Sequence, residues 1–261
     1  MLGCRLLKHS QPAKGRVVLK AVTFDLWQTL ILDTADGLRQ ARAGRIQGIH
    51  ALLTQHGYAG EQTAVEQAYD AVGERLEGAW RAQRDIGSHG QVRILLDLLG
   101  LEESIAADSR VMEALEQAYC LPILSALPVA NAGAAEILGA LSERGMRLGL
   151  VCNTGRTPGT MLRIVLDRLG LARYLSVLTF SDEVGVRKPH PEIFLRTLAA
   201  LGVSPEEAAH IGDDVTTDVA GARGIRMRAI HLCHARGASP AADVADAIPA
   251  LHALPALLFP G

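Results

Sequence analysis

Five short apolar runs recur along the chain, and helical stretches separate most of them. "RVVLKAVTFDL" (Arg16 to Leu26), "LGLVCN" (Leu148 to Asn153), "LSVLTF" (Leu175 to Phe180), "AAHIGD" (Ala208 to Asp213) and "MRAIHL" (Met227 to Leu232) read as buried strands. Between them lie "AGAAEILGALSERG", with Gly145 as a C-terminal stop, and "TPGTMLRIVLDRLG". The latter predicts Thr157 as N-cap and Pro158 at the first helical position. "HPEIFLRTLAALG" and "DVAGARG" follow. Strands alternating with helices predict an α/β fold: a Rossmann-like, doubly wound parallel sheet with helices on both faces. In such sheets ligands bind beyond the carboxyl ends of the strands. Here those ends carry Asp25, Asn153 and Asp213.

Residues 34–127 break the alternation. They are helical in pattern, with charges at helical spacing such as Glu77 and Arg81. "LPILSALPVANAG" reads as the return linker. The expected organisation is an N-terminal tail (1–16), a core (17–33 and 128–261) and an inserted α-helical cap (34–127). The tail holds Arg5, Lys8, Lys14 and Arg16 but lacks the apolar stretch of a signal peptide. A net charge of −2 gives no basic field for nucleic acid or a membrane surface. No apolar run approaches the ~18 residues of a membrane span. Four scattered cysteines without a CxxC pair fit reduced thiols and a cytoplasmic location.

Four short motifs stand at the predicted strand ends. They are Asp25 with Thr29, "VCNTG" with Cys152, Asn153 and Thr154, "GVRKPHPEIF" with Lys188, and "IGDDVTTDVAGA" with Asp213, Asp214 and Asp218. The chain has four lysines against 22 arginines, and Lys188 is the one that follows the first motif. A compact ammonium at that point suits a crowded anionic site. Four aspartates converging on one place would repel one another without a cation.

In this order and placement the motifs resemble the haloacid dehalogenase-like (HAD) hydrolase superfamily, over roughly Val17 to Leu232. The resemblance implies an aspartate nucleophile, Mg2+ and, in most members, phosphatase activity on a small anionic substrate. It makes Asp25 the nucleophile and gives Lys188 the task of steadying Asp25 and the substrate's charge. Asp213 would hold the metal with Asp25 and the Trp27 carbonyl, supported by Asp218 or Asp214. Trp27, Thr29, Cys152, Asn153 and Thr154 would meet the substrate and its phosphate, with Cys152 or Thr154 supplying the hydroxyl position of the second motif. A thiol donates a hydrogen bond poorly, which favours Thr154 there.

The first motif departs from the superfamily pattern Asp-x-Asp-Gly-Thr. The acid/base aspartate is replaced by Trp27 and the glycine by Gln28. An indole donates one N–H and accepts nothing. What is lost is proton transfer, worth about 10² to 10⁴ in rate. Three readings follow. One is a Mg2+-dependent phosphatase that suits good leaving groups, or borrows a proton from Asp214, His50, His56 or His89. The second is a carbon–halogen hydrolase, whose leaving group needs no proton and whose family members carry a tyrosine at the Trp27 position. The third is a non-catalytic binding protein. Schiff-base phosphonate cleavage is excluded, because residues 21–187 contain no lysine. Arg39, Arg42 and Arg45, spaced by three, read as a solvated basic helix face or as a greeting for an anionic substrate.

Overall fold

The computed structural model describes residues 18–101, 105, 108–233 and 246–259. The tail expected at 1–16 and Cys4 lie outside the described residues. Six parallel strands form the main sheet in the order β5-β4-β1-β6-β7-β8. They are β1 (Ala21–Phe24), β4 (Arg147–Cys152), β5 (Val177–Phe180), β6 (Ala208–Gly212), β7 (Arg228–Leu232) and β8 (Ala247–Ile248). β1 is central: Ala21 pairs with Arg147 on one side and with Ala208 on the other. Among the described residues the first predicted strand is a strand from Ala21 to Phe24. β8 has no counterpart in the sequence reading, since two residues are too short to show a period.

Strand side chains alternate between the two faces, and each face has its own core. Val22, Phe24, Leu148, Leu150, Ala209 and Ile211 point into the larger core. Helices α5 (Ala134–Glu143), α6 (Gly159–Arg168) and α10 (Leu254–Leu258) close it. Ala21, Val151, Ala208 and Ala229 point the other way, against α8 (Pro191–Leu201) and α9 (Ala220–Gly224). Truncating one fully buried leucine here, Leu150 for example, costs about 2–5 kcal/mol. α6 begins one residue later than expected: Pro158 is its N-cap, and Gly159 N–H donates to the Asp182 carboxylate at 3.1 Å. Asp182 belongs to a short helix, α7 (Ser181–Val184).

Between β1 and β4 the chain leaves the sheet and returns. The two crossings pair as an antiparallel ribbon of β2 (Ile31–Leu32) and β3 (Val129–Ala130). Beyond the ribbon stand α1 (Ala35–Gln55), α2 (Gln62–Arg81), α3 (Ser88–Leu98) and α4 (Ser109–Cys120). Thr34 caps α1 through Gly37 N–H at 3.0 Å, and Asp108 caps α4 through Arg110 N–H at 2.9 Å. The four helices bury a core of their own, with Ile49, Leu53, Val72, Leu76, Leu96 and Leu115 inside. No helix among the described residues is long and apolar enough to cross a membrane.

The helical module meets the sheet domain through backbone as well as side chains. Asp85 N–H donates to Gly185 O at 3.1 Å, and Arg187 N–H donates to Gln83 O at 3.0 Å. The loop after α2 is therefore laced to the loop that carries Lys188.

Candidate active site

Asp25 stands one residue past β1, where its N–H donates to Ile211 O at 2.8 Å and extends the β1–β6 pairing. The chain then turns sharply, with Leu30 N–H at 2.9 Å and Ile31 N–H at 3.0 Å from Leu26 O. Gln28 sits in the left-handed region at φ 59°, which is where the superfamily places glycine.

Lys188 is 3% exposed and its ammonium touches two carboxylates. It bonds Asp25 Oδ1 directly and lies 2.6 Å from Asp218 Oδ1. Asn153, just past β4, fixes the Lys188 backbone. Its Oδ1 accepts from Lys188 N–H at 2.7 Å, and its Nδ2 donates to Lys188 O at 3.1 Å. Asp25, Asp213 and Asp218 offer carboxylate oxygens that all lie within 4.8 Å of one another.

One ammonium thus stands among three clustered carboxylates and pairs with two of them. Burial pushes Asp25 up to about 7 against the pull of Lys188, and Asp218 and Asp213 push the same way. Burial also opposes the charge on Asp218, yet Lys188 and His210 hold that carboxyl well below its usual range. Asp213 is raised by burial first and by Asp218 second. Hard oxygen donors in negative surplus fit a small divalent cation.

Behind Asp218 runs a buried chain that sequence reading missed. His210 Nε2 is 3.1 Å from Asp218 Oδ1, and His210 Nδ1 is 2.8 Å from Thr23 Oγ1. Burial keeps His210 below its ordinary range, so the ring is neutral. An ionised Asp218 accepts only, which assigns the proton to Nε2 and makes Nδ1 the acceptor of the Thr23 hydroxyl. A signal existed: Thr23 and His210 are register partners on adjacent strands, polar residues in apolar runs.

A second buried network joins the module to the core. Asp85 Oδ2 accepts from Arg187 Nη1 at 2.6 Å, from Thr154 Oγ1 at 3.1 Å and from the Ser181 hydroxyl. The Arg187 guanidinium stacks 4.4 Å over the Trp80 ring. No local pattern marks Asp85, because its partners lie 69 to 102 positions away.

A cavity of about 270 Å³ opens beside the acidic cluster, between α1 and the β4 loop. Trp27 forms a wall of it, and Asn153, Thr154, Asp33, Arg45, Arg156 and Arg187 face it. Asp33 is the carboxylate in that lining. Burial raises it, and Gln28 Nε2 is 3.5 Å from its Oδ2.

The expected site residues separate into two groups. Asp25, Lys188, Asp213 and Asp218 converge, with Trp27, Asn153 and Thr154 on the adjoining cavity. Asp214 stands apart: it is exposed, and its Oδ1 caps the following turn through Thr216 N–H (2.8 Å) and Thr217 N–H (2.7 Å). Thr29 is fully buried under the turn, and its Oγ1 has no hydrogen-bond partner. Cys152 is fully buried in the larger core, which pushes its thiol well above the usual value. Neither side chain reaches the cavity lining. Thr154 does line it, but its hydroxyl is held by Asp85 and Ser181.

The module histidines are not in the lining either. His50 bonds Gly60 O at 3.1 Å, His89 lies 3.5 Å from Glu116, and His56 is exposed. The three arginines of α1 differ from one another. Arg39 pairs with Asp36 and Arg42 with Glu66 and Asp70 at the surface, whereas Arg45 is 6% exposed. A solvated face describes the first two and not the third.

Comparison with known proteins agrees with this geometry. Residues 19–226 match the haloacid dehalogenase-like hydrolase family. A phosphoglycolate phosphatase of Salmonella typhimurium is 29% identical, over 75% of this chain and 74% of that protein. A HAD phosphatase structure from Thermococcus onnurineus superposes with a TM-score of 0.59 at 25% identity, covering 92% of this chain and 98% of that one. A 2-haloacid dehalogenase structure from Pseudomonas syringae pv. Tomato shares the fold, with a TM-score of 0.67 at 24% identity over 92% of this chain and 98% of that one. With the strand-end aspartates, the buried lysine and the family match in agreement, the chain belongs to the haloacid dehalogenase-like hydrolases and is an enzyme of that hydrolytic class.

Proposed function

We propose that this chain is a Mg2+-dependent phosphatase of small phosphorylated metabolites, with the helical module acting as a cap over the strand ends. The observation that carries the reading is the ratio of charges at the site: Asp25, Asp213 and Asp218 cluster beside the single ammonium of Lys188, which pairs with Asp25 and Asp218. A carbon–halogen hydrolase without metal would leave that surplus of carboxylates uncompensated. The three carboxylates and the Trp27 carbonyl would hold the cation, which when bound offsets charge on the phosphoryl oxygens.

An Asp25 carboxylate oxygen attacks phosphorus, the ester P–O bond breaks, and the leaving oxygen departs. Water then cleaves the aspartyl phosphate, releasing phosphate and restoring Asp25. Lys188 orients Asp25 and stabilises the charge that gathers between them. Asn153 keeps Lys188 in place. Trp27 lines the cavity and moves no proton, so the first step favours leaving groups that depart as anions. The buried cysteines Cys120, Cys152 and Cys233, in no disulfide, suit a reducing, cytoplasmic setting.

The test is a panel of phosphate esters and 2-haloacids, each with and without Mg2+. The proposal expects Mg2+-dependent release of phosphate and none of halide. Halide release without Mg2+ supports the dehalogenase reading instead. Release of neither defeats both.

A further inference from the structure

Arg45, Arg156 and Arg187 all face the cavity, but their electrostatic situations differ. Arg187 has a buried carboxylate partner, Asp85. Arg45 and Arg156 have no carboxylate within ion-pair distance among the described residues. Arg45 gives its hydrogen bonds to neutral acceptors: Tyr119 O at 2.8 Å, Thr157 Oγ1 at 2.9 Å and Tyr69 Oη at 3.4 Å. Arg156 donates to Tyr119 Oη at 2.9 Å and lies 4.1 Å over the Tyr69 ring. Burial pushes Tyr119 up to about 12, so its phenol stays neutral and supplies no counter-charge. Asp33 faces the same cavity, but its bonded partner is Gln28.

A buried cation without a counter-charge is costly. The neutral acceptors hold Arg45 in position, and its five N–H donors exceed the three acceptors that engage it. The tyrosine pair connects the two guanidiniums, Tyr69 and Tyr119 being 5.8 Å apart between ring centroids. The arrangement is a preorganised receptor for an anion, in a cavity that Trp27 and Asn153 also line.

We propose that Arg45 and Arg156 form a second anion subsite, so that the substrate carries another anionic group, carboxylate or phosphate, beyond the phosphoryl group attacked by Asp25. This rests on the phosphatase reading for the identity of the first group. A cavity of about 270 Å³ restricts the substrate to a compact metabolite with two anionic groups, since pockets for drug-sized ligands span about 300–1,000 Å³.

The test separates binding from turnover. Calorimetric titration of the wild type at fixed free Mg2+ uses methylphosphonate, phosphonoacetate and methylenediphosphonate, none of which is hydrolysed. One of the two doubly anionic probes is expected to bind about 10- to 100-fold more tightly than methylphosphonate. Which one wins tells a carboxylate from a second phosphate. In Arg45→Gln and Arg156→Gln the advantage is expected to fall below about threefold, with methylphosphonate affinity unchanged. Arg156 is half-exposed, so its variant decides the matter even where Arg45→Gln fails to fold. No advantage in the wild type, or an undiminished one in Arg156→Gln, overturns the subsite. Dianion preference with no phosphate ester hydrolysed leaves the subsite standing and defeats the phosphatase reading.

Discussion

Replacing Asp85 tests whether the module is fastened to the core as the structure indicates. The Asp85 side chain is fully buried and Arg187 is 10% exposed, with 2.6 Å between them. Asp85→Ala leaves that guanidinium buried without its partner and strips an acceptor from Thr154 and Ser181. Breaking a buried pair from one side costs about 3–5 kcal/mol. Asp85 Oδ1 is itself buried without a partner, so the intact pair is imperfect. The lower end, about 3 kcal/mol, is therefore expected. That is a large share of the ~5–15 kcal/mol that holds a domain folded. With a urea m-value of about 3 kcal/mol/M, the midpoint moves down by about 1 M. The assay is urea unfolding followed by tryptophan fluorescence, Trp80 being stacked on Arg187. Asp85→Leu with Arg187→Met removes both charges and is expected to recover most of the loss. An Asp85→Ala midpoint within the error of the wild type would refute the reasoning, because surface-like substitutions stay within about 0.5 kcal/mol.

Other outcomes follow from the acidic cluster and the turn above it. Lys188→Ala is expected to abolish most turnover and Lys188→Arg nearly as much, since a guanidinium does not fit a fully buried ammonium site; steady-state kinetics on the best phosphate ester reads both. His210→Ala removes a donor to Asp218 and is expected to weaken Mg2+ affinity by about 10-fold, measured by titration, without moving methylphosphonate binding at saturating Mg2+. Asp25 is raised by burial above its unfolded value, so its proton competes with the cation at lower pH. The stability that Mg2+ adds is then expected to grow as pH rises through about 7, as read by thermal melts across pH with and without the metal. Trp27→Asp restores a group able to give and take a proton. It is expected to flatten the dependence of rate on leaving-group pKa, raising poor leaving groups by at most about 10² to 10⁴.

Long-period features were legible in the sequence and contact-dependent ones were not. The alternation of buried runs and helices announces the parallel sheet, because a strand covered on both faces must be apolar throughout. Asp25, Asn153 and Asp213 are readable as site residues because strand ends are where such sheets bind ligands. The choice between Asp214 and Asp218 was not readable. It depends on which carboxylate caps the turn over Val215–Val219 and which points back to Lys188. Thr29 and Cys152 match the motif pattern by position, yet their burial is set by how the turn and the larger core close over them. Arg45 shares the spacing of Arg39 and Arg42 but lies where α1 meets Tyr119 and Thr157, a contact across 112 positions in the case of Thr157. Asp85 had no local signal for the same reason. Its role exists only when two distant loops are laced together.

The most direct measurement of the central claim is the covalent state of Asp25 during turnover. Wild-type protein is mixed with phenyl phosphate and Mg2+, quenched in acid within the first turnovers, and mapped by peptide mass spectrometry. The account predicts a phosphoryl increment on the peptide containing Asp25, dependent on Mg2+ and lost in Asp25→Asn. A phosphoryl group on another residue, or turnover that persists in Asp25→Asn, would contradict it.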